Sequence, residues 1–180
     1  MNPQATTLVL IGMPGAGKST VGVILAKRTT RAFLDTDVVI QTKCGRSLQD
    51  IVDRDGYRAL RNIEEEVICG LTLHNHVIAT GGSAVYSSAA MHHLKQSGII
   101  VFLDVDLTTL MSRVHDYSTR GLARRPEQSI EDLFAERYQL YANYADMTIS
   151  CSGMQQDQVC DEIISRVSML KLCCQASVFP

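Results

Sequence analysis

Short apolar runs alternate along this chain with longer segments whose apolar positions recur every third or fourth residue. The runs Thr7–Ile11, Ala32–Leu34, Val77–Ala79, Ile99–Leu103 and Met147–Cys151 are bounded by Gly, Asp or Ser, as buried parallel strands often are. Between them, helices are predicted over Lys18–Arg28, after Ser47-x-x-Asp50 (a capping pair), over Arg58–Thr72, over Ile130–Tyr144 and over Val159–Leu172. The Arg58–Thr72 segment places Ile63, Val67 and Leu71 on one face. This alternation predicts an α/β fold around a mostly parallel sheet. The stretch His115–Gln128 has no clear period and carries Arg120, Gly121, Arg124, Arg125 and Pro126. A basic, irregular segment inside so regular a chain reads as a functional lid.

Composition narrows the function classes. The 180 residues are 46% hydrophobic and 20% charged, with a net charge of -2. That is an ordinary balance for one globular domain. A general nucleic-acid or membrane surface would show as a basic excess or a block of like charge, and neither is present. No apolar run approaches the ~20 residues needed to cross a bilayer, and Met1-Asn2-Pro3-Gln4 lacks the basic region of a signal peptide. A cytoplasmic monomer with no nucleic-acid or membrane partner is therefore expected. Six cysteines include no C-x-x-C pair, and they read as thiols in a reducing compartment.

The chemistry begins at Gly12-Met13-Pro14-Gly15-Ala16-Gly17-Lys18-Ser19, a full G-x-x-x-x-G-K-[ST] match followed by Thr20. It lies directly after a predicted strand and before a predicted helix, the context the motif requires. Its glycines let backbone N–H groups turn towards phosphate oxygens, and the helix presents its positive end to the same point. Lys18 would reach the β- and γ-phosphates of ATP, and Ser19 would ligate Mg²⁺. By itself such a loop does not separate kinases from ATPases or GTPases.

Further motifs follow in order: Asp35-Thr36-Asp37 at the end of the second strand, then Gly56-Tyr57-Arg58-Ala59-Leu60-Arg61-Asn62-Ile63-Glu64. After these come Ala79-Thr80-Gly81-Gly82-Ser83-Ala84-Val85 and Glu136-Arg137-x-x-Leu140-Tyr141-x-x-x-Ala145-Asp146. Together with the P-loop, this ordered set resembles the shikimate kinase family over residues 7 to 170. The resemblance implies a P-loop kinase fold: three α/β/α layers with a five-stranded parallel sheet, in a single domain over residues 1–180. It also implies a substrate-binding helical region at about 36–72 and a lid at about 115–129.

Roles follow from the same resemblance. Asp35 would join Ser19 in holding Mg²⁺, and Asp37 would bind substrate hydroxyls and receive the proton of the attacking one. Arg61 and Arg137 would clamp a substrate carboxylate, with Glu64 orienting Arg61. Gly81 and Gly82 would offer N–H groups to the substrate. Arg120 would reach the transferring phosphate from the lid, and Arg113 would stack on adenine. Elementary chemistry agrees, because guanidinium forks suit carboxylates and phosphoryl transfer asks mainly for positioning and positive charge.

The sequence departs from the family pattern at several points. Ser83 stands where a third glycine is usual, Leu60 replaces a phenylalanine, and the lid runs Arg120-Gly121-Leu122-Ala123. These changes concern the acceptor, so two other readings stay open. One is a kinase for another small carboxylated alcohol such as homoserine, and the other is an ATP-binding protein without turnover. Asp35 and Asp37 could also serve as a helix cap, and Arg61 and Glu64 as a surface ion pair.

Overall fold

The computed structural model describes residues 6–113 and 121–176. Five strands form one parallel sheet: β1 (Thr7–Ile11), β2 (Ala32–Asp35), β3 (His76–Ala79), β4 (Gly98–Asp104) and β5 (Met147–Ser150), in the order β2-β3-β1-β4-β5. β1 lies at the centre, with Leu8 beside Val77 on one side and Ile99 on the other. All five of its residues are buried, which explains its unbroken apolar run.

Eight helices are described: α1 (Lys18–Thr29), α2 (Thr36–Cys44), α3 (Leu48–Asp55), α4 (Tyr57–Cys69), α5 (Ser88–Ser97), α6 (Leu107–Arg113), α7 (Ile130–Tyr144) and α8 (Gln156–Ala176). The predicted α/β fold with its five-stranded parallel sheet is the one found. Three helices were not anticipated as such: α2, α5 and α6. α5 is rich in Ala, His and Ser, and it is started by Ser87, whose hydroxyl accepts from Ala90 N. The anticipated Ser47/Asp50 pair does form a reciprocal capping box on α3.

On α4 the buried face differs from the apolar pattern. Leu60, Glu64, Val67 and Ile68 point inward, while Leu71 lies beyond the helix end. A buried glutamate occupies a position that hydrophobic spacing alone assigns to the outside.

Two apolar clusters result. The larger packs α1, α5, α7 and α8 on the sheet around Leu10, Ile78, Phe102 and Ile149. A smaller one joins Ile40, Ile51, Leu60, Val67 and Ala123, so α2, α3 and α4 share a satellite core with the segment after residue 120. That segment is anchored: Gly121 N donates to Gln49 Oε1 at 2.7 Å. Gly121 has φ +58, and a Cβ there would meet the Leu48 backbone at 2.5 Å, so glycine is required.

Candidate active site

The carboxyl ends of β1, β2 and β3 deliver the P-loop, Asp35 and the Thr80–Ser83 turn to one edge of the sheet, where open α/β folds bind ligands. In the P-loop, Gly15 has φ +86, and Gly17 has φ +92 as the residue before α1. Gly12 presses against β4, where a Cβ would come within 2.8 Å of Leu103 O. The first turn of α1 carries no acidic residue and no side-chain cap. Its N–H groups and positive end are therefore left for an anion.

Lys18 is only 8% exposed. Its Nζ donates to Gly12 O at 2.8 Å and Met13 O at 2.9 Å. The ammonium is thus parked on its own loop. Burial lowers its pKa to about 8, against the attraction of Asp37.

Ser19 Oγ donates to Asp35 Oδ2 at 2.5 Å, and Asp35 Oδ1 accepts from Asp37 N at 3.0 Å. Asp35 is therefore the cap of α2 as well as the partner of Ser19. Among the described residues, no group of three or more His, Cys, Asp or Glu could hold a metal. The Ser19–Asp35 pair nonetheless suits Mg²⁺, which takes few protein oxygens and completes its shell with phosphate and water.

Beside Lys18, the Asp37 carboxyl is pushed up to about 6 by burial, with Lys18 opposing the shift. Glu64, 2% exposed, is pushed up to about 7, again by burial first. Its Oε2 accepts from Ser83 Oγ. Glu64 was expected to orient Arg61, and here the structure corrects the expectation. The Ser83 hydroxyl occupies the carboxylate, and Arg61 turns instead to the Ala123 carbonyl.

The two arginines converge on that carbonyl. Arg61 Nη2 donates to Ala123 O at 2.9 Å, and Arg137 Nη2 donates to the same oxygen at 3.1 Å. Arg137 is 1% exposed, because α7 turns Leu133, Arg137 and Tyr141 to one buried face. The Nε atoms of both arginines are buried with no partner among the described residues. No carboxylate pairs with either among those residues. Two cations and two donors orphaned among the described residues have the chemistry to take up an anion.

The paired glycines are explained by crowding. A Cβ on Gly81 would run into Glu64 Oε1 and Asp37 Oδ1, and one on Gly82 would meet Arg137 Nη1 at 2.8 Å and Pro14 Cδ at 2.9 Å. Gly81 N, expected to face the substrate, donates instead to the buried Thr36 Oγ1 at 2.9 Å. The Gly82 carbonyl accepts from the Tyr141 hydroxyl at 2.7 Å.

One cavity of about 570 Å³ unites these groups. Gly15, Gly17, Lys18, Ser19, Thr20, Asp37, Gly81, Gly82, Arg113 and Arg137 all line it. Gly12 and Ala16 shape the loop from behind, and Asp35 reaches the cavity through Ser19. Arg61 is not among the lining residues and meets them through the Ala123 carbonyl. Arg120 falls outside the described residues. Tyr86 and Ala123, both in contact with the arginine pair, were missed. Neither carries a sequence signal, since each meets its partners only through the fold.

A family model for shikimate kinase matches residues 14–168. Relatives include the shikimate kinase of a Synechococcus species, 38% identical over 168 residues that cover 91% of this chain and 87% of the relative. That of Mycobacterium avium is 36% identical over 176 residues, covering 96% and 98%. Among solved structures, shikimate kinase from Acinetobacter baumannii in complex with shikimate matches with a TM-score of 0.86 at 33% identity, covering 93% of this chain and 95% of that one. The thymidylate kinase of Candida albicans, at 15% identity and a TM-score of 0.58 over 93% of each chain, shares the fold alone. The chain belongs to the shikimate kinase family.

Proposed function

We propose that this chain transfers the γ-phosphate of ATP to the 3-hydroxyl of shikimate, with the P-loop and Asp37 at the reacting end and Arg61 and Arg137 at the carboxylate end. Membership of the family makes it an ATP-dependent kinase that works with Mg²⁺. The observation that carries the division of roles is the shared cavity, which places Lys18, Asp37 and Arg137 on one wall system.

In this reading Lys18 leaves the Gly12 and Met13 carbonyls and turns its ammonium to the β- and γ-phosphates, whose negative charge further favours the protonated form. Ser19 and Asp35 would hold Mg²⁺, whose chemistry there is to neutralise charge on the phosphate oxygens. Asp37 orients the shikimate hydroxyl and takes its proton as the new P–O bond forms. With its pKa at about 6, it is mostly ionised at neutral pH and still basic enough to serve. Arg137 and Arg61 bind the carboxylate through the N–H groups now unpartnered. Arg113, which lines the cavity, is assigned to the adenine, and Arg120 to the transferring phosphate. Residues 115–129, of which 115–120 lie outside the described residues, are read as the lid that excludes water and limits ATP hydrolysis.

We read residues 1–180 as a single kinase domain acting as a cytoplasmic monomer. No described helix is long and apolar enough to cross a membrane. The Ser83 hydroxyl is committed to Glu64, so it adds no free polar group that would favour a different acceptor. The test is ADP release from MgATP with shikimate and homoserine in parallel. Shikimate-dependent release is expected. Release with homoserine alone would overturn the acceptor, and release with neither would overturn catalysis.

A further inference from the structure

The arginine pair poses an electrostatic problem that its hydrogen bonds do not solve. Two guanidiniums share one carbonyl oxygen, and among the described residues neither has a carboxylate within ion-pair distance. Like charges held so close in a partly dry site repel strongly. Glu136 and Glu64 offset this repulsion from beyond ion-pair distance, and a further group in direct contact adds to them.

That group is an aromatic ring. Tyr86 lies with its centroid 3.5 Å from Arg61 Cζ and 5.4 Å from Arg137 Cζ. Both distances are within reach of a cation–π attraction, which strengthens where water is excluded. Tyr57 adds a second ring 5.2 Å from Arg61 Cζ. Tyr86 ends the 3₁₀ turn Ala84–Tyr86, which follows directly on Gly82 and Ser83 of the cavity wall. The ring is therefore fixed to the same segment that lines the acceptor space. Its hydroxyl is buried near Glu136 and Arg137, without a hydrogen bond of normal geometry among the described residues. The ring face, not the hydroxyl, is the working part of this side chain.

We propose that Tyr86 is a positioning residue for the acceptor carboxylate, its ring holding the Arg61 guanidinium next to Arg137 so that both charges are in place when shikimate binds. The proposal rests on the assignment of Arg61 and Arg137 to the carboxylate. Tyr86 does not touch the reacting atoms, so its removal weakens binding of the anionic acceptor and leaves the chemical step and the nucleotide site alone.

The experiment is steady-state kinetics of wild type, Tyr86→Leu and Tyr86→Phe with shikimate and with its uncharged methyl ester. Tyr86→Leu is expected to raise KM for shikimate about tenfold, with kcat and KM for ATP within about twofold. Tyr86→Phe should restore KM for shikimate, and the ester should show no Tyr86→Leu effect. Because Tyr86→Leu could disturb folding, a second series places phenylalanine carrying successive fluorines at position 86. This keeps the ring's shape while draining its negative face, and KM for shikimate should climb with each fluorine. A flat fluorine series, or equal losses with shikimate and ester, would overturn the role of the ring. A wild-type enzyme that uses the ester as well as shikimate would instead show that the carboxylate assignment has failed, and the proposal would fall with it.

Discussion

The nucleotide half and the acceptor half of this cavity are built in different ways. The P-loop is contiguous in sequence, rests on the large sheet core, and satisfies its buried lysine with carbonyls of its own loop. The acceptor half gathers Asp37 from α2, Arg61 and Glu64 from α4, Gly81–Ser83 from the turn after β3 and Arg137 from α7. It leans on the small satellite core that includes Ala123, and its two arginines keep Nε–H groups with no partner among the described residues. On the proposed assignment, phosphate recognition is a local motif, and acceptor recognition is a long-range assembly whose two cations await a carboxylate. Departures from the family pattern at Leu60, Ser83 and the lid fall in the second kind of site, where a change in one element must be absorbed by several others.

The sharpest way to break this comparison is to disable one half and read the other. Lys18→Met should lower kcat about 10³-fold, the scale of losing a main transition-state charge, while shikimate affinity measured by calorimetry stays unchanged. Loss of shikimate binding as well would mean that the halves are not separable.

Asp37→Asn should lower kcat about 10²-fold and remove the acid limb of the pH profile. In the wild type, kcat/KM should fall below about pH 6 as Asp37 takes up a proton. It should fall again above about pH 8 as Lys18 loses one. An acid limb that persists in Asp37→Asn would assign it to another group.

Gly82→Ala tests the seam between the halves, since its Cβ would strike both Pro14 and Arg137. KM values for both ATP and shikimate should rise, each about tenfold, as expected for overpacking of a tight site. A rise in only one would place the strain on one side of the seam.

The smallest effect is expected at Ser83. Ser83→Ala removes the donor that favours ionised Glu64, and kcat/KM for shikimate should fall about threefold. Glu64 also leaves a mark on stability. Its pKa in the folded chain, about 7, lies above the ordinary 4.5, so the folded state holds the proton more tightly. The stability this gives is full below about pH 4.5 and is lost as pH rises through about 7. Glu64→Gln should flatten that part of a plot of Tm against pH, and an unchanged slope would assign it to Asp37.

The same contrast governs what the sequence made legible. The strands, the P-loop and the α3 capping box depend on neighbours a few residues apart, and their residues announce them. The Asp35-Thr36-Asp37 step was also readable, although its capping and Ser19-binding roles turned out to coexist rather than compete. The partner of Glu64 was not readable, because Ser83 lies on another element and Arg61, three positions away on the same helix, was the local choice. Tyr86 and Ala123 were invisible for the same reason. A tyrosine and an alanine carry no chemical pattern until the fold lays a ring under one guanidinium and a carbonyl between two. α5 was passed over because its Ala, His and Ser residues give little apolar periodicity, although Ala90, Met91 and Leu94 are fully buried.

The central claim is that the acceptor half is an anion site completed by the substrate's carboxylate. The most direct test is calorimetric titration of shikimate into wild type and Arg137→Met, with ATP affinity measured on the same preparations. Loss of a charged, buried hydrogen-bonding partner should weaken shikimate binding about 50-fold while ATP affinity is retained. Equal shikimate affinity in the two proteins, with ATP binding intact, would contradict the account.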